Sequence, residues 1–366
     1  MTDETKQFRI ELLPALHGDC IWIEYGDPTA PTRILIDGGP IGAYKALDAR
    51  VTKLKPGDRE IELVAITHVD GDHIEGAVRL IADKAKTLSF RDVWFNGWRH
   101  LEKVPGMLGP VQGEFVSALI AKFIGDTRWN AAQPFSGRPL VVDADDPPVA
   151  TLEGGMRLTL LSPTPPKLEK LRTAWLADVE AKGFAPGDLD AALELLRTQR
   201  RLVPKGLLGG SYQLGDQRIR LDSAVANGSS LAMLAEFGGK CCLLLGDAHP
   251  DAVVESLKKL GASKAKPRRL DAIKVAHHGS RGNTTPELLE VVACKRFLVS
   301  TNGDVFGHPD REALDAIVDQ AGPGVELVFN YLSDTTRPWS DQTDQAKRHY
   351  RAVYPQTDGV GAVVEL

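Results

Sequence analysis

Residues 68–73, His-Val-Asp-Gly-Asp-His, place two imidazoles and two carboxylates in one short segment. The segment follows the β-branched run IELVAIT and precedes the amphipathic stretch HIEGAVRLIADKAK, so it forms the loop between a predicted strand and a predicted helix. Imidazole nitrogens and carboxylate oxygens are ligands for divalent cations, and we predict that His68, Asp70, Asp72 and His73 bind one or two such ions. The alternative is that Asp70 and Asp72 cap the helix while the two histidines are solvated loop residues.

Two further predicted strands also end in residues of ligand type. The apolar run LLLGD ends at Asp247, and the run IKVAHHGS brings the neighbouring His277 and His278 to a strand end. Because strand ends of one sheet meet at the same edge, three such endings favour a shared metal cleft over coincidence. We therefore predict that Asp247, His277 and His278 complete the metal site, and the sequence leaves open which of the two histidines binds the ion.

Strand-like and helix-like segments alternate along the chain and predict a layered α/β fold. Three short strands, FRIELLPA, CIWIEYG and RILIDGG, precede the first helix, and strand signals return after Asn227 and end with GAVVEL as an edge strand. PLVVDADD and MRLTLLSP are predicted as further strands. We predict one domain over residues 1–366, with a loop-rich cover at about 98–138 and a helical insertion at about 165–222.

Composition and charge exclude several classes of protein. The 366 residues are 43% hydrophobic and 25% charged, which excludes disorder, collagen and coiled coil. The net charge of -5 excludes a global cationic field, so any contact with nucleic acid must be local. No apolar run reaches the roughly 20 residues that span a bilayer, and the N-terminus lacks a basic leader, so we expect a cytoplasmic protein without membrane contact. The four cysteines lack ligand spacing and are expected to be small buried residues.

The order of these motifs resembles the metallo-β-lactamase superfamily, and most of all the metallo-β-lactamase-like domain of ComEC-type competence proteins. The resemblance implies a four-layer αββα sandwich and a metal-dependent hydrolase. It covers residues 16–309 apart from the central insertion. The matching segments are His68 to His73 with the following IEG, Asn227 to Leu231, Leu245 to Ala248, Lys274 to Ser280, Gly307 to Pro309, and the early LHGDC and LIDGG.

Two departures from the superfamily pattern bear on the metal. Asp70 stands where zinc β-lactamases carry a histidine, and a carboxylate oxygen there makes the site harder, so the expected cofactor is Zn²⁺ or Mn²⁺. A further histidine of the superfamily, between the first motif and the Gly-Asp motif, has no clear counterpart. His100 is the only histidine in that interval, and it is predicted to be either a metal ligand or, more simply, a surface residue of the cover loop.

The resemblance also implies roles around the metal. Asp72 would hold the attacking water and act as general base, and Asp247 would complete the coordination shell. His278 or His277 would bind metal or protonate the leaving group. The remaining candidates are loop residues: His308 for proton transfer, His17, Asn227 and Arg281 for substrate contact, and Asp37 as a carboxylate that orients a ligand histidine. For His308 and His17 the alternative is a turn-stabilising role.

Phosphodiester hydrolysis is the reaction that these residues favour, because a carboxylate-rich cation site suits anionic phosphate oxygens. Residues 258–281 carry eight basic side chains against the single acid Asp271, and Arg281 directly follows the His-His-Gly-Ser segment. Nucleic acid or another phosphodiester is the expected substrate, and the sequence names no protein partner. The alternatives are hydrolysis of a small ester, lactone or thioester, a binding or regulatory module that has lost catalysis, and a toxin or defence effector restrained by a partner.

Overall fold

A computed structural model of the chain describes residues 6–101, 111–203, 223–357 and 359–366. The strands in this part of the chain are β1 (Gln7–Leu12), β2 (Ile21–Gly26), β3 (Thr32–Ile36), β4 (Glu60–Ala65), β5 (Ser89–Trp94), β6 (Val149–Thr151), β7 (Arg157–Ser162), β8 (Ala232–Phe237), β9 (Lys240–Leu244), β10 (Arg268–Arg269), β11 (Ala272–Lys274), β12 (Val292–Ala293), β13 (Arg296–Val299), β14 (Val325–Phe329), β15 (Tyr350–Val353) and β16 (Ala362–Glu365). The α-helices are α1 (Tyr44–Thr52), α2 (Gly71–Lys84), α3 (Trp98–Leu101), α4 (Val111–Leu119), α5 (Pro165–Glu180), α6 (Leu189–Thr198), α7 (Ser223–Gly228), α8 (Pro250–Lys259), α9 (Pro286–Glu290), α10 (Arg311–Ala321) and α11 (Gln342–Arg348). Short helical turns cover Ile41–Ala43, Pro56–Asp58, Ile120–Ile124, Asp126–Arg128, Ala276–Gly279 and Arg337–Ser340.

The two large sheets have matching designs, each with an antiparallel part and a parallel part. The six-stranded sheet has the order β16-β1-β2-β3-β4-β5, in which β3 pairs with β4 and β4 with β5 in parallel, and the other neighbouring strands pair antiparallel. The eight-stranded sheet has the order β15-β14-β13-β11-β9-β8-β7-β6, and the five strands from β15 to β9 are parallel. The register pairs Ile36 with Ala65 and Leu244 with Lys274, so the residues that follow these strands emerge side by side.

The two sheets pack face to face and each is covered by helices on its outer face, so that three apolar layers lie between these four layers of secondary structure. In β2, Trp22 packs into the layer under the helices, while Ile21 and Ile23 pack into the layer between the sheets. In β9, Cys241 and Cys242 divide in the same way, because successive side chains of a strand point to opposite faces. Strands that are apolar on both faces are buried on both, which confirms the predicted four-layer αββα sandwich.

Most of the predicted elements agree with the structure, and one does not. The stretch predicted as a helix after the 68–73 loop is α2, and GAVVEL is β16 at the edge of the six-stranded sheet. The segment PLVVDADD, residues 139–146, is not a strand. Leu140 instead exchanges both backbone hydrogen bonds with the side-chain amide of Asn96, at 2.8 Å each, so its backbone is satisfied without a partner strand.

Two helices lie in the region predicted as an insertion. Trp175 of α5 and Leu196 of α6 pack into the apolar layer under the six-stranded sheet. Residues 204–222 of the predicted insertion and residues 102–110 of the predicted cover lie outside the described residues, so both boundaries and the single-domain organisation stay predictions. Within the described part of the chain, no helix has the length and apolar character needed to cross a membrane.

Candidate metal centre

The predicted ligand residues lie at the carboxyl ends of parallel strands from both sheets. Asp37 follows β3 and His68 follows β4 in the six-stranded sheet. Asp247 follows β9, and His277 and His278 follow β11, in the eight-stranded sheet. Crevices at the carboxyl ends of parallel strands are the usual ligand sites of α/β folds, and here two such ends face one another.

Asp247 lies at the centre of the cluster. Its Oδ2 is 3.8 Å from His68 Nε2 and 3.7 Å from His277 Nε2. Its Oδ1 is 3.4 Å from His73 Nε2 and 3.9 Å from His278 Nε2. One carboxylate, 2% exposed, therefore lies between two pairs of imidazoles, and both members of the His-His segment face it.

The two carboxylates of the 68–73 loop divide between these pairs. Asp70 Oδ2 lies 3.6 Å from His68 Nε2, whereas Asp72 Oδ2 lies 3.8 Å from His73 Nε2 and 3.4 Å from His278 Nε2. We name the first half as His68, Asp70 and His277, and the second half as Asp72, His73 and His278. Each half therefore offers two imidazole nitrogens and one carboxylate, and the two halves share Asp247.

All four imidazoles are held through Nδ1 and turn Nε2 toward the cleft. The Nδ1 contacts are His68 with Thr67 Oγ1 at 2.9 Å, His73 with Asp37 Oδ2 at 2.7 Å, His277 with Asn283 Oδ1 at 3.1 Å, and His278 with the Ser300 carbonyl at 2.9 Å. Because these oxygens accept a hydrogen bond, each neutral ring carries its proton on Nδ1 and a lone pair on Nε2. This is the tautomer that binds a metal ion through Nε2.

The acceptor role of two of these oxygens follows from their other hydrogen bonds. Thr67 donates its hydroxyl proton to Asp37 Oδ2 at 2.7 Å, which leaves an oxygen lone pair for the Nδ1 proton of His68. The Asn283 side chain donates its amide protons to two backbone carbonyls, at 3.2 and 3.0 Å, which turns its Oδ1 toward His277. The ring orientations are therefore set by a hydrogen-bond network around the cleft.

Asp37 contacts two of the ligand histidines, one directly and one through Thr67. Its Oδ1 also accepts the Thr67 backbone N–H at 2.7 Å, and its side chain is fully buried. Its φ of 58° is a left-handed conformation that is uncommon for residues other than glycine. The geometry puts Asp37 where the sequence predicts an orienting carboxylate, and that role stays a prediction.

The backbone at the His-His segment is strained. His277 and His278 have φ values of 46° and 55°, and consecutive left-handed residues with side chains each cost on the order of 1–3 kcal/mol. The segment is held by His277 N donating to the Gly246 carbonyl and by Ser280 N donating to the His277 carbonyl, both at 2.9 Å. This conformation brings both rings to the same carboxylate, Asp247.

The carboxylates outweigh burial in setting the charge of two of the imidazoles, His73 and His278. Burial lowers the pKa of His278, but Asp247 and Asp19 raise it to about 9. Burial also lowers the pKa of His73, and Asp247 with its neighbouring carboxylates raises it well above its usual value. Burial raises the pKa of Asp72, and the charges of His73 and His278 bring it down to about 2. The cluster is therefore rich in negative charge and stabilises a cation among the ring nitrogens.

Three buried atoms of the cluster show that its donor set fits a metal ion. Nε2 of His73, Nε2 of His278 and Oδ1 of Asp247 are buried and make no hydrogen bond to the described residues, although buried polar atoms nearly always have a partner. Converging imidazole nitrogens and carboxylate oxygens suit Zn²⁺ or another divalent cation. The helix-capping alternative is not supported, because Asp70 makes no side-chain capping bond and His68 is 2% exposed.

A buried ion pair behind the cluster was missed by the sequence reasoning. Asp19 Oδ2 accepts from Lys274 Nζ at 2.7 Å, and Asp19 Oδ1 lies 3.5 Å from His278 Nδ1. Counting Lys274 among the basic side chains available for phosphate is wrong, because this ammonium is fully buried against a carboxylate. The signal in the sequence is the position of Asp19 in LHGDC, directly before β2.

The structure supports neither prediction for His100, a metal ligand or a surface residue of the cover loop. It is 2% exposed rather than on the surface, and it belongs to none of the candidate metal groups among the described residues. Its Nδ1 accepts from Gly97 N at 3.2 Å, its Nε2 lies 3.3 Å from Asn130 Nδ2, and its ring packs against Trp129 at 4.9 Å. The Gly97 N–H occupies Nδ1 and the ring packs against Trp129, so His100 supports the local packing.

His308 and His17 lie at the mouth of the cleft. The His308 ring is 5.1 Å from the His277 ring, and its Nδ1 is 3.2 Å from Asp310 Oδ1. Burial lowers the pKa of His308, and Asp310 opposes this shift. The His17 ring packs edge-on against Phe306 at 5.7 Å. Both histidines are near the predicted substrate position, and their catalytic or binding roles stay predictions.

The other two predicted substrate residues differ in accessibility. The Arg281 side chain is 72% exposed, and its backbone N–H donates to Asp310 Oδ2 at 2.8 Å. Asn227 is only 4% exposed, and its carbonyl accepts from Ser230 N at 3.1 Å. Ser230 Oγ in turn accepts from Asp247 N at 3.0 Å, so this motif reaches the cluster through its serine.

Acids from outside the basic segment 258–281 neutralise part of it. The pairs are Lys259 with Glu255, Lys264 with Glu290, and Arg268 with Glu236. Together with the burial of Lys274, these pairs weaken the local cationic field that the sequence predicts.

The chain was compared with family models, solved structures and curated proteins. No family model matches the chain. Among solved structures, the metallo-β-lactamase fold protein YhfI from Bacillus subtilis covers 99% of this chain and 100% of its own, with 11% identity and a TM-score of 0.41. Zn²⁺-bound PqqB from Methylobacterium extorquens covers 98% and 100%, with 14% identity and a TM-score of 0.44. Human tRNase Z, short form, covers 97% and 98%, with 11% identity and a TM-score of 0.43. These likenesses concern the fold alone.

One curated protein is similar in sequence to part of the chain. ComE operon protein 3 of Bacillus subtilis (strain 168) is 31% identical over 144 residues. The match covers 37% of this chain and 18% of that protein, so the chain spans less than a fifth of its relative. Over that part of the chain, the resemblance to a competence protein that the motifs predict is thus confirmed.

Proposed function

We propose that the chain is a metal-dependent hydrolase that cleaves phosphodiesters with a metal-activated water molecule. The observation that carries the proposal is the set of four imidazoles, each held through Nδ1 with Nε2 toward the cleft, around the single carboxylate of Asp247. Such a hydrogen-bond arrangement costs backbone strain and leaves buried atoms without partners, which a structural role alone does not explain.

The two halves of the cluster would each hold one divalent ion, with Asp247 between them. Bound there, a divalent cation lowers the pKa of a water molecule toward neutrality and polarises a phosphoryl oxygen. Asp70 adds a hard oxygen donor to the first half, which suits Mn²⁺ as well as Zn²⁺. Asn283, Ser300, Thr67 and Asp37 would keep the rings oriented in both halves.

Residues of this chain then serve the two proton transfers that hydrolysis requires. Asp72, kept ionised by its low pKa, orients the attacking water and accepts its proton as a new P–O bond forms. In its imidazolium form, which Asp310 favours against burial, His308 is held through Nδ1 and donates its Nε2 proton to the leaving alkoxide as the old P–O bond breaks. The products are a phosphomonoester and an alcohol.

A phosphodiester is the proposed substrate because the donor set of the cluster and the charge at the cleft mouth suit an anionic phosphate. The carboxylate-rich donor set favours hard cations, which bind phosphate oxygens. Arg281, which is exposed and 3.9 Å from Glu312, would pair with a phosphate oxygen at the mouth. The motifs resemble a ComEC-type domain, for which a nuclease-like role is expected, and this adds support from the sequence.

The test compares phosphodiesters with esters. Protein loaded with Mn²⁺ or with Zn²⁺ is incubated with single-stranded DNA, duplex DNA, RNA, bis-p-nitrophenyl phosphate and a panel of esters, lactones and thioesters. We expect diester cleavage to exceed ester cleavage, and Asp72→Ala to lower kcat/KM by about 10²–10⁴-fold. Asp145→Ala, an exposed carboxylate elsewhere, is the matched control and keeps full activity. Turnover of esters alone, or of no substrate, contradicts the proposal.

A further inference from the structure

An exposed aromatic side chain stands at the mouth of the metal cleft. Phe306, in the loop between β13 and α10, is 53% exposed. Its ring lies 5.7 Å from the His17 ring at an angle of 72°, and 6.3 Å from the His308 ring at 31°. His308 in turn lies 5.1 Å from His277, so a short row of rings leads from the cluster to Phe306.

The loop that carries Phe306 is tied down on both sides. Asn302 N donates to the Leu16 carbonyl at 2.8 Å, which joins the loop to the segment of His17. Gly307 N donates to the Gly303 carbonyl at 3.0 Å and closes the loop on itself. The Thr335 hydroxyl donates to the carbonyl of His308 at 2.9 Å. An aromatic ring on a loop held in this way is pre-organised, so little side-chain or loop freedom is lost when a flat ligand packs on it.

We propose that Phe306, flanked by His17, is a stacking platform for the nucleobase next to the phosphate that the metal cleft holds. This inference rests on the proposed function and narrows it to nucleotide phosphodiesters. Every base has a π-face, and stacking of a base on an aromatic side chain contributes about 1–3 kcal/mol without demanding a particular sequence. Arg281, together with a cation held by the cluster, would bind the phosphate, and Phe306 the base.

The exposure of the ring is what separates this role from ordinary packing. Large apolar side chains at the surface are common singly, but this one lies between two histidines at the mouth of a charged cleft. An alkyl ester would gain little from a flat aromatic ring, whereas a base gains both apolar contact and stacking. The neighbouring Val305 is 56% exposed on the same loop and has no ring, so it offers a matched comparison.

The experiment measures binding of two ligands that differ only in the base. The dissociation constants of thymidine monophosphate and of deoxyribose phosphate are measured by calorimetry on the full Mn²⁺-loaded chain. We expect the nucleotide to bind at least about fivefold more tightly than the sugar phosphate. Phe306→Ala should bring the two constants within about twofold, Phe306→Trp should keep the preference, and Val305→Ala should leave both constants unchanged.

Thermal unfolding of each variant checks that it is folded. Because Phe306 is exposed, neither Phe306→Ala nor Phe306→Trp should disturb the fold. A base preference that survives in Phe306→Ala, or that is absent from the unaltered chain, overturns the platform. The proposed function is tested by a different result: it is rejected when diesters are not cleaved in the assay described above. Diester cleavage together with an unchanged base preference in Phe306→Ala therefore rejects only the platform.

Discussion

The residues around the metal cleft divide into those that face it and those that orient them. His73 and Asp37 are the clearest pair, since Asp37 accepts from His73 Nδ1 at 2.7 Å and also from the Thr67 hydroxyl that supports His68. A single buried carboxylate thus holds one imidazole in each half of the cluster. Groups of this kind set the tautomer and basicity of the ligand ring, and they contribute to affinity without touching the ion.

Asp37→Asn tests this positioning role. The amide keeps the size of the side chain but removes the charge and presents N–H groups to His73 or Thr67. We predict that affinity for Mn²⁺ or Zn²⁺ falls about 10- to 100-fold, measured by competition with a fluorescent chelator. The control is Asp92→Asn, since this buried carboxylate accepts from Trp94 Nε1 and two backbone N–H groups. Equal loss of affinity in both variants would contradict the role.

The clustering of the seven candidate ligands could be predicted from sequence because they lie in short segments and differ in type from their surroundings. Four of the seven lie within residues 68–73, and the others directly follow apolar runs that end in Gly-Asp or His-His. Asn283 and Ser300 could not be predicted, because their role depends on where a side-chain or backbone oxygen lies in space. The buried pair of Lys274 and Asp19 joins residues far apart in the chain, so the lysine looked like a surface cation.

At the scale of elements, the first turn of α2 is fixed by a backbone contact with the loop after β3. Gly76 N donates to the Gly39 carbonyl and Gly38 N donates to the His73 carbonyl, both at 2.8 Å. A Cβ placed on Gly76 would lie 1.9 Å from the Gly38 carbonyl oxygen, closer than any atom can approach. The absence of a side chain therefore allows α2 to bring His73 against Asp37.

Gly76→Ala should separate α2 from this loop. Alanine normally favours a helix interior, so any loss of stability here comes from the clash with backbone atoms. We predict that the free energy of unfolding falls by at least about 1–3 kcal/mol and that metal affinity falls with it. Denaturant titration and the chelator competition measure the two effects. The control is Gly57→Ala, where a Cβ would meet nothing within 4 Å. Equal losses of stability and metal affinity in the two variants would contradict a role for the contact between α2 and the loop after β3.

Strands and helices with clear hydrophobic patterns were predictable, and the exceptions have physical causes. The apolar segment PLVV fails to form a strand because the Asn96 amide takes the backbone hydrogen bonds of Leu140, and no pattern in the segment reveals a distant amide. β15 was not predicted, since Tyr350–Val353 is a four-residue edge strand in which only Tyr350 is buried.

At the scale of the whole molecule, the metal cleft joins the two sheets. Residues of the 68–73 loop belong to the six-stranded sheet, and Asp247 with the His-His segment belongs to the eight-stranded sheet. A ligand that binds only the folded chain stabilises it by mass action, about 2.7 kcal/mol when its concentration is a hundred times its Kd. In addition, a bound cation would offset the repulsion among the clustered carboxylates.

Removal of metal should therefore lower the stability of the entire fold. We predict that a chelator lowers Tm by several degrees, since about 1 kcal/mol corresponds to roughly 2–4 °C for a chain of 150–250 residues and less for a longer one. The loss should be reversed by Mn²⁺ or Zn²⁺. Asp247→Asn should be insensitive to both additions, because it alters the carboxylate shared by the two halves. A chelator effect of the same size in that variant would mean that the metal binds elsewhere.

Anomalous diffraction from crystals of the Zn²⁺- or Mn²⁺-loaded chain, recorded at the absorption edge of the metal, tests the metal centre most directly. We predict two peaks, one beside Nε2 of His68 and His277 and one beside Nε2 of His73 and His278, with the Asp247 carboxylate between them. A map with no peak among these four rings, from protein shown by elemental analysis to contain metal, would contradict the account.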